Sequence, residues 1–173
     1  AFVTSHGTMD KADSSAREHI AKSADLIAAI RLPEGSFRWA AGTDVVVDLL
    51  FFRKRKLGDA EGDPSWLDLE EVRPATEDES AIRVNRWFAR HPDFVLGAHA
   101  LTSGPFGEAY ICLRRDGEDL AETLAAAVKL LPEAVYDGEP EAIDFDLDDT
   151  DDASETELPS DRHVREGSYF FDK

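Results

Sequence analysis

The residue that most invites a chemical role is Asp48, a lone carboxylate inside the run Val45 to Phe52, which is otherwise apolar. An acid in such a setting is either a general base or a group held by a partner, because an ionised carboxylate is not left unpaired among apolar side chains. The spacing favours an edge-facing or capped carboxylate over a catalytic one. Cys112 is the only cysteine and sits in the apolar run Ala109 to Leu113. It forms no internal disulfide and no zinc site, reads as a small buried hydrophobe rather than a nucleophile, and fits a reducing cytoplasm. His6, His19, His91, His99 and His163 are scattered, as surface or capping histidines usually are. Gly104-Pro105-Phe106-Gly107 is rich in glycine, but its proline removes a donor that an anion-binding loop would need. The chain holds no G-x-G-x-x-G turn, no P-loop lysine, no G-x-S-x-G elbow and no metal-ligand spacing. No catalytic residue and no metal ligand is assigned. The run Arg53-Lys54-Arg55-Lys56 is either a solvated strand exit or a contact to phosphates.

The elements that would position these groups follow from periodicity. Residues 1–56 read as strand, helix, strand, loop, strand. Phe2-Val3 ends a first strand. Ser15 and Glu18 have the spacing of a capping box, opening a helix from about Ser14 to Ser23 with Ala16 and Ile20 on one face. Asp25 to Ile30 is a continuous apolar run, suited to a strand covered on both faces, as in a mostly parallel sheet. Pro33 ends it, and a loop follows from Glu34 to Thr43 with Gly35 and Gly42 as turn residues. Asp44 to Arg53 is the best strand in the chain. From Gly58 to Ser80 the chain is polar and reads as a connector, with a short strand at Trp66 to Leu69. From Ala81 the apolar positions Val84, Trp87 and Phe88 fit one helical face, closed before Pro92. Phe94 to Gly97 and Ala109 to Leu113 read as strands around a turn at Thr102 to Gly107. Gly117 or Asp119 opens a last helix with Leu120, Leu124, Val128 and Leu131 on its apolar face.

The net charge of -18 over 173 residues is unevenly spread. Between Glu139 and Asp161 there are 11 acidic residues and no basic one, whereas residues 1–57 hold 9 basic and 7 acidic. The acidic stretch reads as a solvated, disordered linker; the sharper alternative is a DNA mimic. The first segment can still face a phosphate backbone. No apolar stretch reaches the roughly 20 residues needed to span a membrane, so no membrane partner is expected.

The stretch Phe2 to Lys56 resembles the last third of the catalytic domain of adenine-N6 DNA methyltransferases of the type I modification-subunit kind. The residues that carry the resemblance are Phe2-Val3-Thr4-Ser5, the helix with Arg17 and Ile20, Ala28 to Pro33, Phe37, and Gly42-Thr43-Asp44 running into Val45 to Lys54. Val84 to Phe88 with His91 to Gly97 is similar to a segment that follows the methylase part in large phage- and plasmid-type methylase–helicase fusions, where the Gly-Ser-Tyr-Phe pattern seen here at Gly167 to Phe170 opens a later region. The resemblance implies a partial Rossmann-like α/β methyltransferase sheet of terminal strands, its last strand antiparallel, followed by a small α+β appendage and an acidic tail. The implied divisions are 1–57 for the catalytic part, 58–80 for a connector, 81–137 for the appendage, 138–163 for an acidic linker and 164–173 for the start of a further element. It implies S-adenosylmethionine as the parent's cofactor, with none bound by this chain alone. Its implied partners are DNA, an upstream methyltransferase segment and a downstream helicase domain. The cofactor turn and the Asn/Asp-Pro-Pro-aromatic loop of the family do not occur here. The resemblance therefore implies an inactive fragment, with Phe37, Gly42 and Thr43 bordering the target-base pocket and Arg53, Lys54, Arg55 and Lys56 toward DNA phosphates. The alternative is a non-enzymatic DNA- or protein-binding module. A sheet of three strands also implies an open edge that seeks a partner.

Overall fold

Asp44 to Arg53 is rich in β-branched and aromatic residues, and its core becomes the centre of a three-stranded sheet. In a computed structural model of the protein, β1 (Phe2–Ser5) and β2 (Ala24–Leu32) both pair with β3 (Val47–Lys54), in the order β1-β3-β2. β3 runs antiparallel to each neighbour, so β1 and β2 point the same way. The described residues are 1–133 and 135, apart from 57, 78, 105 and 106, and they belong to one compact unit. The readings of residues 136–173, including the acidic linker, the DNA mimic and the final apolar element, lie outside them. The described residues mix helices with antiparallel sheets, which is compatible with an α/β chain.

Strand alternation divides the core in two. On one face Leu50 and Ala29 join Met9, Trp66, Ile82, Val84 and Phe88. On the other, Ile30 and Leu32 join Phe94, Leu96 and Ala127, with Leu49, Phe51 and Phe37 alongside. A bulge between Leu26 and Ala28 keeps Leu26 opposite Phe52 on the first face. Both clusters draw on residues before 57 and after 81, so the two stretches share their packing.

Several local expectations are corrected. The helix α2 (Ser15–Ala21) starts one residue earlier than a capping box at Ser15 requires: Ser14 is its N-cap, and Asp13 Oδ1 accepts from the Ser15 amide at 3.0 Å. Its buried side chain is Arg17, which donates to the carbonyl oxygens of Leu67 and Lys11 at 2.9 Å each. Desolvation lowers the Arg17 pKa below its ordinary value. The run at β2 is covered on both faces, yet its partner is antiparallel. Residues 64–67 form a 3-10 turn, not a strand, because Pro64 pre-sets the first turn and Asp63 caps it through the Ser65 amide. The chain then continues as β4 (Leu69–Arg73), paired with β5 (Ile82–Asn85). Val84 is therefore in a strand and not on a helical face with Trp87 and Phe88. The helix α4 (Arg86–Arg90) begins only after Asn85, whose side chain accepts from the Trp87 amide at 3.0 Å. Residues 92–94 are likewise a 3-10 turn, and the hairpin β6 (Ala98–Gly104) and β7 (Gly107–Leu113) takes in most of what read as a turn.

The final helix α5 (Leu120–Lys129) is capped as expected by Asp119, whose carboxylate accepts from the amides of Ala121 and Glu122. Ala127 takes its buried position, and Val128 is exposed. Cys112 is buried, and burial pushes its thiol up to about 11.

Candidate functional site

Because β1 and β2 point the same way, their carboxyl ends lie together: Ser5 and Leu32 both stand opposite Val47. Two connections leave this end. One carries α1 (Gly7–Asp10) and leads to α2. The other holds α3 (Arg38–Ala41) and returns as β3.

The first connection walls an open cleft of about 500 Å³ lined by Ser5, His6, Gly7, Thr8, Asp10 and Lys11 among others. Asp10, one of its lining residues, belongs to a buried charge cluster. Arg31 is fully buried and donates to both Asp48 oxygens, Nε to Oδ1 and Nη2 to Oδ2, at 2.8 Å each. Its Nη1 meets Asp10 Oδ2 at 2.7 Å. The guanidinium lies 4.1 Å from the centroid of the Phe88 ring and 5.1 Å from that of Tyr110. The second Asp10 oxygen accepts from the Asn85 amide at 2.8 Å, and Asn85 Nδ2 donates to the carbonyls of Met9 and Trp66. Burial alone would lower the Arg31 pKa; the hydrogen bonds and charge of Asp48, with the charge of Asp10, outweigh it and hold it above its ordinary value. Burial also pushes the Asp48 carboxyl up, against the pull of Arg31. Asp48 is therefore neither edge-facing nor a free base: it is the inner half of a bidentate ion pair.

Tyr110 lies on the same cluster, and burial raises its pKa. Its hydroxyl is 2.8 Å from His99 Nδ1. Burial, then the charge of Arg31, lowers the His99 pKa below 6.5. Folding thus favours the neutral ring, and between the two pKa values the unfolded chain binds the extra proton. The stability this contributes is present above pH 6.5 and is lost as pH falls through the folded value. His99→Gln is expected to flatten that acid limb in urea-melt midpoints followed from pH 7 to 5; an unchanged slope would exclude His99 as its source.

The second connection holds the expected pocket residues. Phe37 packs partly against the second core cluster. Gly42 ends α3 in the left-handed region at φ 63, and a Cβ there meets no atom within 4 Å, so backbone conformation alone requires glycine. Thr43 Oγ1 accepts from the Val45 amide at 3.3 Å. Arg38 and Asp44 form an exposed ion pair at 2.6 Å. Between them Trp39 is fully exposed. Sequence reasoning passed over Trp39; its signal was a large aromatic in a polar loop with no periodic apolar partner.

Arg53, Lys54, Arg55 and Lys56 lie at the other end of the sheet. Arg53 stands opposite Asp25 and Lys54 opposite Ala24. Lys54 is seven residue steps along the strand from Val47, about 23 Å at 3.3 Å per residue. The four side chains also diverge. Arg55 turns inward to Asp25 and the Ala21 carbonyl, Arg53 reaches Asp25 at 3.5 Å, and Lys54 and Lys56 are exposed. The structure therefore does not bring the expected phosphate contacts to the expected base pocket. Arg86 is paired with Asp68 and Glu70.

Among the described residues no three His, Cys, Asp or Glu side chains gather as a metal site, and no helix is long and apolar enough to cross a membrane. No family model matches the chain, and no curated protein or solved structure matches it.

Proposed function

We propose that this chain is the C-terminal part of an S-adenosylmethionine-dependent DNA adenine-N6 methyltransferase domain, with the cofactor and amino-group-binding segments supplied by an upstream part of the parent protein. The observation that carries the reading is the order β1-β3-β2, an antiparallel return strand set between two strands that run the same way. A Rossmann-like sheet that finishes on an antiparallel strand leaves such a remnant when its earlier strands are removed. The succession of strand, helix, strand, glycine-ended loop and final strand agrees with the order of the resembling segment. Phe2 and Val3, 61 % and 63 % exposed along the unpaired side of β1, are where the upstream segment joins by strand addition. DNA then lies across the carboxyl end, beside the cleft and the α3 connection. A downstream helicase domain is the remaining partner of the parent.

Calorimetric titration of S-adenosylmethionine into this chain, and into a version with the upstream coding region restored, tests the reading. Binding only by the longer protein, followed by methylation of adenine in DNA, is the expected result. Binding by this chain alone would overturn the claim that its cofactor site lies elsewhere. Binding by neither would favour the second reading, a non-enzymatic module that recruits a protein partner, for which the apolar open edge at Phe2 and Val3 is the specific support.

A further inference from the structure

We propose that Trp39 is a stacking platform for an unpaired nucleobase at the carboxyl end of the sheet; this rests on the DNA methyltransferase reading and names the group that would hold the base. The chain has three tryptophans, and two have structural work. Trp66 is buried. Trp87 donates from its indole N–H to the Ala29 carbonyl at 3.0 Å and stacks on His91 with centroids 3.8 Å apart. Trp39 touches no core cluster and is wholly in solvent.

Its exposure is not that of a loose loop. The Glu34 amide donates to the Cys112 carbonyl at 2.8 Å and fixes the start of the connection. Phe37 anchors its middle in the second core cluster. The Arg38–Asp44 pair and the left-handed turns at Gly35 and Gly42 close it. The indole is thus presented on a braced support, and a rigid aromatic with two side-chain torsions loses little entropy on stacking. Strand addition at β1 does not account for the exposure, because β3 lies between β1 and β2. The neighbouring charges also favour a base over a phosphate. Arg38 is already neutralised by Asp44, so what this turn offers is a π-face rather than a cation.

The test uses the full chain, a short single-stranded adenine oligonucleotide, and an abasic oligonucleotide of the same length, at about 0.15 M salt, where a Debye length of about 8 Å screens the repulsion between the strand and a chain of net charge -18. Trp39 is the one fully exposed indole, so its emission reports contact directly. The base-bearing strand is expected to quench it saturably, and the abasic strand is expected to do so at least several-fold more weakly. Trp39→Ala should lower oligonucleotide affinity by about 5- to 150-fold, read by anisotropy of a labelled strand, and Trp39→Phe should recover most of it. Unchanged urea midpoints would show that both variants fold. Equal affinity of Trp39→Ala and wild type, equal binding of abasic and base-bearing strands, or no saturable binding would each overturn the proposal. The methyltransferase reading stands or falls separately, on methylation by the protein with its upstream region restored.

Discussion

Replacing Arg31 with leucine is expected to cost about 3–5 kcal/mol of folding stability, a large part of what a domain of this size possesses. Arg31 is fully buried and, among the described residues, is the only cation that meets both Asp48, itself fully buried, and Asp10. Removing it leaves the fully buried Asp48 carboxylate without its partner, where ionisation is costly and protonation becomes the lesser loss. Asp48→Leu alone should cost a comparable amount by stranding the guanidinium. The informative variant is the pair, Arg31→Leu with Asp48→Leu. Both charges are then gone from the interior, and Asp10, which touches solvent at the cleft, can be hydrated. The double variant is expected to be markedly more stable than the sum of the singles predicts. Urea denaturation of the four proteins measures this. Strict additivity would show that the pair does not act as a unit.

Gly97→Ala is expected to destabilise the fold by about 2–3 kcal/mol, although it adds one methyl group. A Cβ at Gly97 would sit 2.5 Å from the Leu113 carbonyl oxygen and 2.6 Å from Cys112 Sγ. Neither can step aside cheaply: one is strand backbone, and the other is a buried side chain. β6 and β7 pack here with no room for a side chain, so the hairpin itself must move. Gly7→Ala is the control, since its Cβ would meet nothing closer than Ser5 Oγ at 3.7 Å. It should be neutral or slightly stabilising in the same denaturation assay. If Gly97→Ala matches Gly7→Ala, the close approach has been misjudged.

The elements legible in the sequence were those whose cause is local. β3 shows itself by its β-branched and aromatic run, α5 by its Asp119 cap, and the buried Cys112 by its apolar neighbours. What failed were positions where two short elements abut. Val84, Trp87 and Phe88 fit a helical spacing, but Asn85 between them is the N-cap that divides strand from helix. Asp63-Pro64 carried the equivalent signal for the 3-10 turn at Trp66. The partner of Asp48 was out of reach for a different reason. Arg31 meets it through the β2–β3 register, and local pattern does not specify which residues stand opposite one another across a bulged pair. For the site, the sequence order did contain one warning: a whole strand lies between Gly42 and Arg53, so those residues cannot converge unless the strand bends. The shared end of β1 and β2, by contrast, depends on Ser5 and Leu32 emerging on one side, which only pairing determines.

The outer side of β2 is closed. Trp87 Nε1 donates to the Ala29 carbonyl, the Leu96 amide donates to that of Arg31 at 2.9 Å, and Val95 forms a parallel bridge with Arg31. The sheet is therefore monofunctional in the sense of polymer chemistry: β1 alone can propagate it. A monomer with one reactive end caps a chain and does not lengthen it. If β1 meets a copy of itself, growth stops at a closed pair, whereas a sheet open on both sides could extend into a ribbon without limit. Residues 87–96 thus act as a chain terminator built into the monomer.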